Sequence, residues 1–505
     1  MVVRVRRARC LQTKALRTIS CIAFLLGSLA ISANAQEPAK PDPNPPATPQ
    51  PALNQQPAPQ STEAPPPQQP GAGAQVRTGS QFGLQSFASR LERLLADHQF
   101  VEMESLLDAP DAAPDDAGGG NGVPKLAPEQ KQLFRGVLAN RENKPQESIK
   151  LLEPLVDKLK STDHPPEEKL LRKTLAEDYL RAGDWAKANQ AFLELEYRLG
   201  GGMTQDEKDE IELPLKLLPL IYQFPPMTVE PGDSFTLPYD RNGLGLTDVP
   251  VFVDGQSHDW MLDPTAPFNL ICRTTAKQIG LKISDEYATV TSLTGHPMQV
   301  QAAVIPRFTI GTVTYRNMPA FVFDDKDYYF PKSNYQVRGV LGYPAVSALG
   351  SITITAESDI EVHPGEKSER LNSGAHFFLD GDRILAAMGK EGDERMFAID
   401  ASGQQTYLTS RYYEEHTDEF ATKKMQLLSV PGSHNQPPAP AYVADSASVQ
   451  VGATPMTLHF VQVLTEPLGN AALDDTYGTL GMDALDELKS YTFDYRTMRF
   501  AVKNQ

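Results

Sequence analysis

Cysteine is almost missing from this chain: Cys10, Cys21 and Cys272 are the only three in 505 residues. Three cysteines cannot staple a small secreted scaffold, so stability has to come from packed cores. Long apolar runs are missing too. The run from Ile22 to Ile31 is too short to span a bilayer as a stable helix, and no later stretch is long and apolar enough to try. Positive charge is in deficit, with 47 Lys+Arg against 64 Asp+Glu and a formal net charge of −17. That balance argues against nucleic acid or anionic lipid as the main partner. The nine histidines show neither HExxH nor clustered ligand spacing, and no GxSxG elbow, Walker loop or strand-linked GxGxxG occurs. No metal and no cofactor is therefore expected.

What is present divides the chain into stretches of different composition, and 505 residues are too many for one core. Arg4, Arg6, Arg7, Arg9, Lys14 and Arg17 precede the short apolar run, which ends in Ala33-Asn34-Ala35. Basic, apolar, then small-x-small is the order of a secretory signal, so residues 1–35 read as a signal peptide cleaved after Ala35. An uncleaved anchor is the other reading. Cleavage would leave 41 basic against 64 acidic residues and Cys272 as the lone thiol. The expected location is outside the cytoplasm, periplasmic or secreted, with no membrane span after cleavage. Of the 42 prolines, 13 fall in residues 36–75, among Gln, Ala and Asn. Such a segment buries too little to offset its ordering entropy, so residues 36–79 read as a disordered, partly polyproline-II linker.

Residues 80–227 carry helical spacing: Leu91, Leu94, Leu95, Phe100, Met103, Leu106 and Leu107 recur at three- and four-residue steps. The unit from Leu175 to Phe192, with Tyr179, Gly183-Asp184-Trp185 and Ala188, resembles a tetratricopeptide repeat. A weaker copy lies forty residues earlier, with Gly136, Ala139, Asn143, Ser148 and Leu152 in matching places, and a third surrounds Leu94 to Leu107. Stacked helical hairpins are expected, offering either a groove for a protein partner or a cap packed on the next domain.

Beyond residue 228 the pattern turns to short β-branched and aromatic runs with Gly, Asn and Pro turns. These runs repeat. Met261-Leu-Asp263-Pro-Thr-Ala lines up with Ala398-Ile-Asp400-Ala-Ser-Gly, an apolar strand ending in Asp followed by a small-residue turn. Gly339-Val-Leu-Gly342 matches Gly478-Thr-Leu-Gly481, 76 and 78 residues after the respective aspartates. Ser351 and Ser490 then fall at the same offset of nine from the second glycine. Four landmarks in register divide the region into copies at 228–365 and 366–505.

Each copy resembles a retropepsin-type aspartic peptidase domain, the bacterial aspartyl protease type included. The resemblance implies a multidomain chain: N-terminal all-α hairpins followed by an all-β, pepsin-like tandem barrel. It implies Asp263 and Asp400 as a catalytic dyad, Thr265, Ala266, Ser402 and Gly403 as supporting loop residues, and flap tips at Gly295-His296 and Gly432. The implied partner is an extended peptide or protein, as substrate or ligand. Neither loop reads Asp-Thr/Ser-Gly, however. Pro264 and Ala401 lack the hydroxyl by which family members link their two loops, and Thr265 and Ser402 stand where the family has glycine. A one-residue shift would let Thr265 and Ser402 supply the missing hydroxyls. Two functions follow: an exported aspartic endopeptidase, or a catalytically degenerate peptidase fold serving as an envelope peptide-binding or scaffold protein.

Overall fold

The computed structural model describes residues 87–108, 126–160, 165–253, 255–291, 297–365, 370–401, 403, 405–429, 438–469 and 474–504. The expected signal peptide and the linker lie outside the described residues. So do Gly295, His296, Ser402 and Gly432.

Among the described residues, eight α-helices come first: α1 (Phe87–Ala96), α2 (Phe100–Asp108), α3 (Pro128–Arg141) and α4 (Pro145–Leu152), then α5 (Val156–Lys160), α6 (Pro165–Arg181), α7 (Trp185–Leu199) and α8 (Gln205–Ile221). Local chemistry sets their ends. Asp184 caps α7 by accepting the Lys187 amide at 3.1 Å, and Thr204 with Glu207 forms a capping box on α8. On α7, Trp185, Ala188, Phe192 and Leu195 are buried at helical spacing. Gly136 on α3 lets α4 approach closely, since a Cβ there would meet the Leu152 side chain at 2.3 Å. The α3–α4 and α6–α7 turns each hold a left-handed residue, Asn143 (φ 56°) and Gly183 (φ 73°).

The strands of the first β stretch are β1 (Thr228–Glu230), β2 (Phe235–Pro238), β3 (Asp240–Arg241), β4 (Thr247–Val253), β5 (Gln256–Leu262) and β6 (Leu270–Cys272). Next come β7 (Ala288–Thr291), β8 (Pro297–Ile310), β9 (Val313–Phe323), β10 (Tyr329–Phe330), β11 (Tyr335–Gln336) and β12 (Gly339–Leu341). Strands β13 (Ser351–Thr355) and β14 (Asp359–His363) close the stretch. The second contains β15 (Ala375–Asp380), β16 (Arg383–Lys390), β17 (Asp393–Ile399), β18 (Tyr407–Leu408) and β19 (Gln426–Leu428). It ends with β20 (Ala439–Val451), β21 (Thr454–Leu464), β22 (Gly478–Leu480), β23 (Ser490–Asp494) and β24 (Arg499–Lys503).

In the first sheet the order β9-β6-β12-β5-β4-β8 closes on itself, because β8 also pairs with β9. The other large sheet runs β19-β20-β21-β18-β22-β17-β16-β15-β24-β23-β13-β14-β2. At its β13–β23 junction Thr353 lies opposite Thr492, 139 residues later, with the two hydroxyl oxygens 2.8 Å apart. The chain crosses over here: β2, β13 and β14 precede residue 366 yet pair into the sheet built by β15, β23 and β24. A boundary at 365/366 therefore divides the sequence but not this sheet.

The helical layer packs directly on the strands. Leu91, Leu94, Phe100, Met103, Leu107, Phe134 and Leu138 share one core with Phe378, Leu385, Ala387 and Met396 of β15–β17. Each fully buried side chain of this size contributes about 1.5–3 kcal/mol, so this face of the helices is covered and is not an open groove. Charge seals the rim of the contact. Arg141 meets Asp380 at 2.9 Å, His98 Nε2 lies 2.8 Å from Asp380, and Arg383 joins Asp380 at 2.8 Å to Asp475 at 2.9 Å. Burial would raise the Asp380 carboxyl, but Arg141, the His98 hydrogen bond and Arg383 outweigh it and hold the group well below the usual carboxylate range.

Candidate active site

Both aspartates sit directly after a strand that lies parallel to the later glycine strand. Met261 and Leu262 pair with Val340 and Leu341, while Gly339 and Val340 pair on the other side with Ile271 and Leu270. In the second stretch Ala398 and Ile399 pair with Thr479 and Leu480, and Gly478 and Thr479 pair with Leu408 and Tyr407. The glycine strand is thus inserted between the two arms of each Asp loop. Each aspartate amide donates to the strand beside it, Asp263 to Leu341 O at 3.0 Å and Asp400 to Leu480 O at 2.9 Å.

Glycine is required where the inserted strand ends. A Cβ on Gly342 would meet the Phe268 carbonyl oxygen at 2.3 Å, and one on Gly481 would meet the Gln405 backbone at 2.7 Å. These are rigid backbone atoms, so neither position has room for a methyl. The next residue ties the strand back to the loop: the Tyr343 amide donates to Ala266 O and the Met482 amide to Gly403 O, both at 2.7 Å.

Inside the loops the symmetry stops. Asp263 is fully buried, and its Oδ1 accepts the Thr265 amide at 2.9 Å and the Thr265 hydroxyl at 2.6 Å. Asp400 is only partly buried, and its Oδ1 accepts the Gly403 amide at 2.7 Å. A Cβ on Gly403 would lie 2.3 Å from Asp400 Oδ2, so this glycine clears space for the carboxylate itself. The shifted-register expectation meets a correction at Thr265. Its hydroxyl donates to the carboxylate of its own loop, because the two-residue turn folds the side chain back onto Asp263. Ala266 contributes its carbonyl and a buried methyl.

Two polar residues escaped the sequence reading. Asn269 and Thr406 each lie six positions after an aspartate. Asn269 Oδ1 accepts the Gly342 amide at 3.0 Å, and Thr406 Oγ1 accepts the Gly481 amide at 2.9 Å. Each satisfies a backbone donor that the inserted strand would otherwise leave buried and unpaired. The signal was present as a polar residue at equal offset, just before Leu270-Ile271 in one loop and Tyr407-Leu408 in the other. Asp483 adds a further brace in the second loop by accepting the Thr406 amide at 2.9 Å.

Burial raises the hydroxyls of Tyr343 and Tyr407 to about 12, so both stay protonated donors around the loops. Cys272 is a buried free thiol, raised by burial and 2.9 Å from Thr275 Oγ1, and has the surroundings of a packing residue. No group of three or more His, Cys, Asp or Glu that could hold a metal ion occurs among the described residues.

With this geometry in view, known proteins offer three points of comparison. No curated protein matches the chain. A retropepsin-like aspartic protease from Rickettsia conorii aligns with 26% of this chain and 98% of its own, at 16% identity and a TM-score of 0.20. Basic 7S globulin from soybean aligns with 54% of this chain and 95% of its own, at 11% identity and a TM-score of 0.30. Residues 249–345, which include Asp263 and its glycine strand, match the family model for aspartyl proteases.

Proposed function

We propose that this is an exported aspartic endopeptidase built from two tandem retropepsin-like copies, 228–365 and 366–505, behind a tetratricopeptide-like helical region. The observation that carries this reading is the pair of Asp loops, each pierced by a glycine strand in the same pairing pattern. The aspartyl protease match over 249–345 supports it for the first copy. The shared sheet, with Thr353 facing Thr492, supports a pseudo-twofold relation between the copies.

In this reading Asp263 and Asp400 form the dyad. Two carboxylates about 3 Å apart cannot both ionise, so they share one proton. The ionised member takes a proton from a bound water, which attacks the scissile carbonyl, while the protonated member polarises that carbonyl. The proton later passes to the leaving amine. The titration belongs to the pair, giving a bell-shaped dependence of rate on pH. The substrate in this reading is an extended peptide, and the expected flap residues Gly295, His296 and Gly432 follow β7 and β19 in the sequence, outside the described residues. The amino-terminal signal and linker would place the enzyme outside the cytoplasm.

A second reading is favoured by a specific observation: Asp263 has no solvent exposure and its loop hydroxyl is turned inward. That state suits a fold kept for peptide binding or scaffolding after the chemistry was lost. Incubating the purified protein with an unfolded protein substrate from acidic to neutral pH separates the two. The peptidase reading expects acid-favoured cleavage blocked by a pepstatin-like inhibitor. Peptide binding with no cleavage at any pH selects the scaffold reading.

A further inference from the structure

The helical layer reaches Tyr343, beside the Asp263 loop, through a residue that a simple turn would not need. Asn143 occupies the left-handed position of the α3–α4 turn, at φ 56°. Forty residues later the α6–α7 turn fills the same position with Gly183, at φ 73°. Glycine adopts that conformation without steric cost, whereas asparagine is only tolerated there. The asparagine side chain is used. Its Oδ1 accepts the hydroxyl of Tyr343, 200 residues away.

Tyr343 is the residue whose amide holds Ala266 O at 2.7 Å, and the Ala266 amide in turn donates to Asp263 O at 3.3 Å. Its ring also stands edge-on to Tyr495, with centroids 6.0 Å apart. Around the turn, Arg141 reaches Asp380 at 2.9 Å and Arg181 reaches the Gly381 carbonyl at 3.2 Å, so α3 and α6 are anchored where Asn143 projects. In the second loop Met482 takes the place of Tyr343, and a thioether offers no hydroxyl to such a partner.

From this geometry we infer that Asn143 is a positioning residue: through Tyr343 it couples the α3–α4 turn to the Asp263 loop, by a side-chain link that Met482 cannot make at the matching place beside the Asp400 loop. This rests on the peptidase reading for its consequence in catalysis, but the coupling itself is a property of the fold. Through this link the α3–α4 turn steadies the Asp263 loop specifically.

The test uses the full chain with Asn143→Gly, which keeps the left-handed turn and removes the amide, and Tyr343→Phe, which removes only the hydroxyl. Hydrogen exchange is followed across residues 263–269 and 342–346, and across the matching 400–406 and 481–485. Both variants should speed exchange in the first pair of segments about tenfold, with the second pair unchanged. The double variant should add nothing to either single change. Unchanged exchange in the first pair, or an equal rise in both, overturns the coupling. If the wild type cleaves substrate, Asn143→Gly should also lower kcat about tenfold at constant KM. A wild type that cleaves nothing removes the peptidase reading, while the exchange result still decides the coupling.

Discussion

The two Asp loops share a backbone and differ in almost everything attached to it. Both follow a strand parallel to an inserted glycine strand, and both return a carbonyl to the residue after the second glycine. The first loop is closed, with a fully buried Asp263 gripped by Thr265 and fastened to the helices through Tyr343. The second is open, with a partly exposed Asp400 that accepts the Gly403 amide, in a loop braced at Thr406 by Asp483. The difference teaches that the pairing pattern fixes where a carboxylate sits, while neighbouring side chains decide how accessible and how rigid it is.

The largest test of this contrast is Gly403→Ala. Its methyl would fall 2.3 Å from Asp400 Oδ2, so the carboxylate has to move. Displacement by about 1 Å costs on the order of 100-fold in rate, and we expect cleavage to fall by at least that factor while the melting temperature shifts by only a few degrees. Retained cleavage would mean that the open loop has slack, which breaks the contrast.

A smaller effect is expected in the closed loop. Thr265→Ala removes a hydroxyl bond to a buried carboxylate, worth about 1.5–3 kcal/mol, and should lower the denaturant midpoint at neutral pH by a matching amount. Thr265→Ser should restore most of it. Equal stability of the alanine variant would show that the hydroxyl grip is dispensable.

The effect most remote from the two carboxylates lies in the helices. Asp178 lies buried between Asn140 Nδ2 at 2.7 Å and Ser148 Oγ at 2.5 Å, in the packing that supports the α3–α4 turn. The single Ser148 hydroxyl proton has a second acceptor in Gly136 O at 2.8 Å, which is satisfied if Asp178 carries a proton and donates to Ser148. Burial agrees, raising this carboxyl from 3.8 to about 7. With the folded value above the unfolded one, the group's contribution to stability is full below pH ~4 and is lost as pH rises to about 7. Asp178→Asn mimics the protonated acid. It should raise stability at pH 8 by up to about 4 kcal/mol, leave it nearly unchanged at pH 4, and flatten the profile between. An unaltered pH profile of thermal unfolding would contradict the protonated assignment.

Much of the β framework was legible in the sequence because the same landmarks occur twice. Asp263 and Asp400, Gly342 and Gly481, and Ser351 and Ser490 could be aligned without coordinates. Their strand positions follow from the alternation of β-branched and apolar residues around them. What stayed hidden depends on contacts between distant segments. Thr265 offered two acceptors, its own carboxylate or the opposite loop, and only the turn geometry selects the first. Asn143 reads as an ordinary turn residue until the fold brings Tyr343 against it. Arg141 and Asp380 likewise look like surface charges in the sequence, yet they meet at a buried seam. The strand exchange that places β2, β13 and β14 in the shared sheet leaves no local trace either, since each strand would suit either sheet.

The central claim is that two unlike loops supply one shared-proton pair. Its most direct measurement compares Asp263→Asn with Asp400→Asn, assaying cleavage of an unfolded protein across acidic to neutral pH, with melting temperature as the control for folding. Each single substitution should abolish pepstatin-sensitive cleavage, a loss of at least about 1,000-fold, in a protein that still melts cooperatively. Cleavage that survives either substitution would contradict a shared pair and leave the other carboxylate working alone.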